Sequence, residues 1–119
     1  MKQETVASII KWSEETFGDN ITIEGQLQKF KDEIEEWFDS DQKDIEELAD
    51  MAIVASSVAR FSVIEAIRCF SYVAERLNFS KFTMPELEEA INKKQEKNRK
   101  RKWGKGKGNF QHISEEDEE

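Results

Sequence analysis

Apolar residues recur at three- and four-residue spacings along most of the chain, the period of an α-helix rather than a strand. Val6, Ile9, Ile10, Ser13 and Phe17 predict a first helix from about Glu4 to Thr16, with Gly18 as its stop. Leu27, Phe30, Ile34, Trp37 and Phe38 predict a second from Glu24 to Phe38, with Thr22 as a candidate cap. A third runs from Gln42 to Arg60. Ile45, Leu48, Ala52, Ala55 and Ala59 form one small-residue face, and Glu47, Asp50, Val54 and Val58 form another. Asp39-Ser40-Asp41 breaks the pattern before it and offers caps. A fourth helix, Val63 to Leu77, reads as continuing the third through a kink near Phe61-Ser62. Its expected core positions are Val63, Ile64, Ile67, Phe70, Ala74 and Leu77. Thr83 and Glu86 have capping-box spacing, with Pro85 in the first turn. They open a last helix whose Leu87, Ala90 and Ile91 give way to polar residues after Asn92. No alternating strand pattern or internal repeat stands out. The expectation is an all-α bundle of four to five helices over residues 1–103, then a flexible charged tail over 104–119.

Acids interrupt this pattern at telling places. Glu33 and Glu36 are three apart on the second helix, and Glu47 and Asp50 are three apart on the third. Residues three apart share a helix face. On a helical wheel Glu33 and Glu36 lie beside the aromatic stripe, whereas Asp32 and Glu35 point outward. Asp50 leads into Met51-Ala52-Ile53-Val54-Ala55, apolar on every side. Carboxylates drawn toward such surroundings are costly unless paired or bound to a cation. An oxygen-only set without His or Cys suits Mg²⁺, with Mn²⁺ as substitute, rather than Zn²⁺. Glu33, Glu36, Glu47 and Asp50 are therefore the candidate metal-holding and catalytic residues. Two such helices can hold cations that grip a polyphosphate and activate water.

Charge adds a second feature. The net charge of −8 averages over unlike parts. Residues 1–92 carry twenty acids against nine bases, a net of −11, while residues 93–107 hold nine Lys/Arg and one Glu. Within that basic segment Lys94, Asn98 and Arg101 follow spacings of four and three and share one face, a match for phosphate oxygens. The bland reading is a solvated helix end, and a rival one is contact with nucleic acid through Lys/Arg, Trp and Phe. Trp12 and Phe17, near the end of the first helix, are candidates for stacking on a base. Cys69 reads as core, and His112, the only histidine, has no expected role. A single cysteine, no secretory leader and no apolar run long enough to span a bilayer point to a cytoplasmic protein without membrane contact. A composition 37% hydrophobic and 37% charged is lean, as in chains that bury apolar surface between subunits.

Asp32-Glu33-x-x-Glu36, ten residues, then Glu47-x-x-Asp50 resembles the EExxE…ExxD signature of the MazG-like, all-α nucleoside triphosphate pyrophosphohydrolases. Asp32 departs from the usual Glu. Trp12 with Thr16-Phe17-Gly18 before the acids, and Lys94, Asn98 and Arg101-Lys102-Trp103 after them, resemble the dATP/dGTP diphosphohydrolase branch, frequent in phages. The resemblance covers about residues 5–103. It implies a MazG-like bundle completed by assembly into homodimers or homotetramers. It also implies Mg²⁺-dependent hydrolysis of (deoxy)nucleoside triphosphates, dGTP or dATP foremost, to monophosphate and pyrophosphate. Glu33, Glu36, Glu47 and Asp50 would hold the metal, and Lys94, Asn98 and Arg101 would contact the nucleotide. Nucleic acid is then not an expected partner. A helical protein binding nucleic acid through residues 93–107 is the alternative, and alarmone hydrolysis by the same site is a weaker one.

Overall fold

One helix organises the rest. Residues 51–58 of α3 (Ile45–Val58) are buried without interruption, and α3 packs against α1 (Val6–Phe17), α2 (Ile23–Asp39), α4 (Val63–Asn78) and α5 (Met84–Lys100). A helix apolar all round belongs at the centre, and its Ala49, Ala52 and Ala55 let neighbours approach closely. The computed structural model describes residues 2–105 and 110–113, with side chains as far as Trp103. The chain is all-α, with five α-helices among the described residues. None of them is long and apolar enough to cross a membrane.

The helix starts follow cap chemistry. Thr5 and Thr83 form capping boxes with Ser8 and Glu86. Thr22 Oγ1 accepts from the Gly25 amide at 3.1 Å. For α3 the cap is Asp44, not a residue of the expected Asp39–Asp41 break. Its carboxylate accepts from the Glu46 amide at 2.9 Å. The chain reaches it through Asp41 and Gln42, both left-handed at φ 59°. Gly18 ends α1 at φ 54°, where a side chain would be strained. Arg60 braces this corner, donating to Ser13 Oγ at 3.0 Å and to the Gly18 carbonyl at 2.9 Å. At the other edge Arg99 makes a bidentate pair with the Glu4 carboxylate at 2.8 and 3.0 Å.

Three further expectations need correction. First, α4 does not continue α3. A turn over residues 59–61 separates them, and Ser62 caps α4 by accepting from the Glu65 amide. Second, α4 buries only part of the expected stripe: Leu77 is buried and Phe70 packs partly buried against the core, but the other expected positions face outward. Ala66, Cys69, Val73 and Leu77 face the core, while Val63, Ile64 and Ile67 are 67%, 64% and 55% exposed and Ala74 is exposed as well. This helix has two apolar stripes, and the smaller side chains are the ones that fit beside α3. Third, the chain after α5 is not all tail. Lys102–Lys105 pairs antiparallel with Phe110–Ile113, Trp103 opposite His112. Four-residue strands are too short to show a period. The remainder of the expected tail, 106–109 and 114–119, lies outside the described residues.

Candidate functional site

The helices α2 and α3 run in opposite directions side by side. Residues 33 and 36 of one therefore meet residues 50 and 47 of the other. Glu33, Glu36, Glu47 and Asp50 each offer a carboxylate oxygen, and these oxygens all lie within 4.8 Å of one another. Asp32 and Glu35 stay outside this cluster as the wheel divides them, although Glu36 within it is exposed as they are. Glu35 is exposed, and Asp32 is exposed and bonded to its neighbour Gln28 at 3.1 Å.

The cluster is electrostatically unsatisfied. Glu33 Oε2 and Glu47 Oε2 are buried without a hydrogen-bond partner. Burial pushes the Glu33 carboxyl up to about 9, helped by the charges of Asp50 and Glu36. Burial, with Glu36 and Asp50 beside it, raises Glu47 to about 7. Burial also raises Asp50 to about 6, although the Lys94 ammonium pulls the other way. That ammonium, from α5, stands 3.6 Å from Asp50 Oδ2. An oxygen-only donor set with two orphaned buried oxygens fits a hard divalent cation of the Mg²⁺ type.

The acids open onto a cavity of about 330 Å³. Glu33, Glu36 and Asp50 line one end with Asp32 at the same wall, whereas Glu47 belongs to the quartet without lining the cavity. Lys94, Asn98 and Arg101 line the side given by α5 and its end. Asn98 is buried, accepts from Arg101 at 3.4 Å through its side-chain oxygen and receives Trp103 Nε1 at its carbonyl at 3.2 Å. Trp12 and Phe17 reach the cavity from α1 and meet Trp103 there. The three rings contact edge to face, with centroids 5.2 to 6.0 Å apart. Every residue singled out in the sequence for substrate binding thus borders one space.

Gln26, Lys29 and Ser57 also line it and were not singled out. A signal for two of them exists. Gln26 precedes Glu33 by seven residues and Ser57 follows Asp50 by seven, so both continue the acid faces two turns along. Lys29 Nζ lies 5.8 Å from the Trp103 ring centre, a cation over an aromatic face.

The basic segment is mostly answered within the chain. Lys93, Lys94, Lys97, Arg99 and Lys100 pair with Glu89, Asp50, Glu46, Glu4 and Glu96. Comparison with protein-family models, with curated proteins and with solved structures finds no match to this chain.

Proposed function

We propose that this chain is a Mg²⁺-dependent nucleotide pyrophosphohydrolase of the MazG-like kind. Water adds across the α–β phosphate bridge of a (deoxy)nucleoside triphosphate, dGTP or dATP foremost, to give the monophosphate and pyrophosphate. One observation carries this reading. Three carboxylates of a converging quartet, a cationic wall and an aromatic corner share a single cavity. A divalent cation held by Glu33, Glu36, Glu47 and Asp50 would neutralise phosphate charge and make a bound water more acidic. Lys94 and Arg101 supply the positive charge that orients a triphosphate, with Asn98 fixing Arg101. Trp12, Phe17 and Trp103 form the apolar corner for a base and shield that end from water. The convergence of Lys94, Asn98 and Arg101 on the acid-lined cavity favours this use of the segment over a nucleic-acid contact. The test is a screen of the eight common NTPs and dNTPs with Mg²⁺ or Mn²⁺, read by monophosphate and pyrophosphate together. Release that EDTA abolishes is expected. Silence with all eight sinks the enzymatic reading.

The same proposal includes self-association. Val63, Ile64 and Ile67 put a row of large apolar side chains in solvent on α4, which a single copy leaves uncovered. Light scattering after size exclusion is expected to show a dimer or tetramer. Ile64→Asp with Ile67→Asp is expected to yield a folded monomer, since neither side chain supports the core of one chain. A wild-type monomer at tens of micromolar removes this part of the proposal.

A further inference from the structure

Gln26 is a buried polar group on the cavity wall for which the metal and phosphate reading has no use. It is only 4% exposed, lines the cavity, and lies two turns along α2 from Glu33, about 10 Å by helix rise. Across from it, Ser57 lies two turns along α3 from Asp50. The two side chains meet, Gln26 Nε2 standing 2.6 Å from Ser57 Oγ.

The orientation of the carboxamide follows from one proton. Ser57 Oγ also stands 2.7 Å from the Val54 carbonyl oxygen, which can only accept. The single hydroxyl proton must lie on that contact. Ser57 Oγ can then only accept from Gln26, so the amide turns its nitrogen to Ser57 and its oxygen away. Gln26 Oε1 makes no hydrogen bond among the described residues. It is also absent from the buried side-chain atoms sealed from solvent without a partner, so the small exposed part of Gln26 includes it. The open space it borders is the cavity, which the three aromatic rings line as well.

Resting on the nucleotide reading above, we infer that Gln26, locked by Ser57 and Val54, reads the nucleobase. Its Oε1 accepts an N–H from the base while the phosphates lie toward the acids. The lock makes the acceptor fixed rather than adaptable. A base offering only acceptors at that point leaves Oε1 buried without a partner, and a site built around one hydrogen bond rejects such an analogue strongly. The inference assigns a specificity-determining residue, not a group that touches the reacting phosphorus.

The test compares dATP and dGTP with the deoxynucleoside triphosphate of unsubstituted purine, whose base has no N–H. Binding is read from tryptophan fluorescence with the α,β-methylene analogues and Mg²⁺, and hydrolysis from pyrophosphate release with the parent compounds. In the wild type the unsubstituted purine is expected to bind at least about tenfold more weakly than the better natural purine. In Gln26→Leu that gap is expected to close to within about twofold. Ser57→Ala, a milder change, is expected to narrow it by freeing the amide to turn. If Gln26→Leu does not fold, the wild-type comparison tests whether a base N–H is read and Ser57→Ala tests whether Gln26 reads it. Equal binding of all three ligands by the wild type overturns the inference, as does an unchanged gap in the variants. Base-dependent binding without any hydrolysis overturns the enzymatic reading and leaves this one standing. Hydrolysis indifferent to the base does the reverse, and no nucleotide binding at all overturns both.

Discussion

Glu33→Gln is expected to give a protein that is more stable without metal and inactive with it. The substitution keeps the side-chain volume, so it opens no cavity. It removes the charge whose burial pushes the Glu33 carboxyl up to about 9 and leaves an amide that can donate to Asp50 or Glu36. Near neutral pH the Glu33 carboxyl must take up a proton on folding, and Gln, neutral in both states, removes that cost, a route to stability at the expense of function. A gain of about 1 kcal/mol moves the melting temperature of a domain this size by roughly 4 °C. In EDTA the variant should therefore melt several degrees above the wild type. With Mg²⁺ the order should reverse or the gap vanish, because a cation that binds only the folded state stabilises the intact quartet. Pyrophosphate release should fall at least about a hundredfold, equivalent to roughly 2.7 kcal/mol of transition-state stabilisation. Glu35→Gln, two residues along on the exposed side of α2, is the control and should change none of these. A Glu33→Gln protein that melts lower in EDTA and still responds to Mg²⁺ like the wild type would show that the quartet is not a cation site.

The contrast between Glu33 and Glu35 also shows what could be read from sequence. Acids three apart next to an aromatic stripe, and acids three apart leading into Met51-Ala52-Ile53-Val54, mark inward faces without any coordinates. A connection of a few residues between α2 and α3 then makes the two faces meet antiparallel, which brings 33 to 50 and 36 to 47. The face of α4 was not legible in the same way. Val63, Ile64 and Ile67 outweigh Ala66, Cys69 and Val73 in apolar content, so a count of hydrophobicity selects the wrong stripe. Fit decides instead, because the neighbour is a closely packed central helix and small side chains are what it admits. Gln26 was missed for a related reason. An amide within a polar stretch reads as surface, and only the partner Ser57 arriving from another helix explains its burial. Trp103 was legible as part of a motif, but its placement over the cavity depends on Arg101 leaving the helix in an extended conformation, at φ −81° and ψ 154°.

The metal-free protein is expected to lose stability as pH rises from about 5 to about 9, the reverse of ordinary acid denaturation. The sign follows from the direction of the shifts. Glu33, Glu47 and Asp50 hold their protons in the folded state up to about 9, 7 and 6, against ordinary values of 4.5, 4.5 and 3.8. Between each pair of values the folded state binds more protons than the unfolded one, so stability falls with pH. The fall begins near 4, levels for Asp50 near 6 and for Glu47 near 7, and continues for Glu33 to about 9. Glu4 works the other way. Burial raises its carboxyl, but the hydrogen bonds and charge of Arg99 overcome this and leave it lowered, so its contribution is lost only as pH falls below 4.5. Melting temperature in EDTA should thus peak in mild acid. Mg²⁺ must displace the same protons to bind, so its stabilising effect should be small near pH 5 and grow steadily toward pH 9. Paired melting scans with EDTA and with Mg²⁺ across that range measure both curves. A melting temperature in EDTA that is flat or rising from pH 5 to 9 contradicts a mutually repelling quartet with Glu33, Glu47 and Asp50 partly buried. A Mg²⁺ increment that does not grow with pH contradicts the cation's place within it.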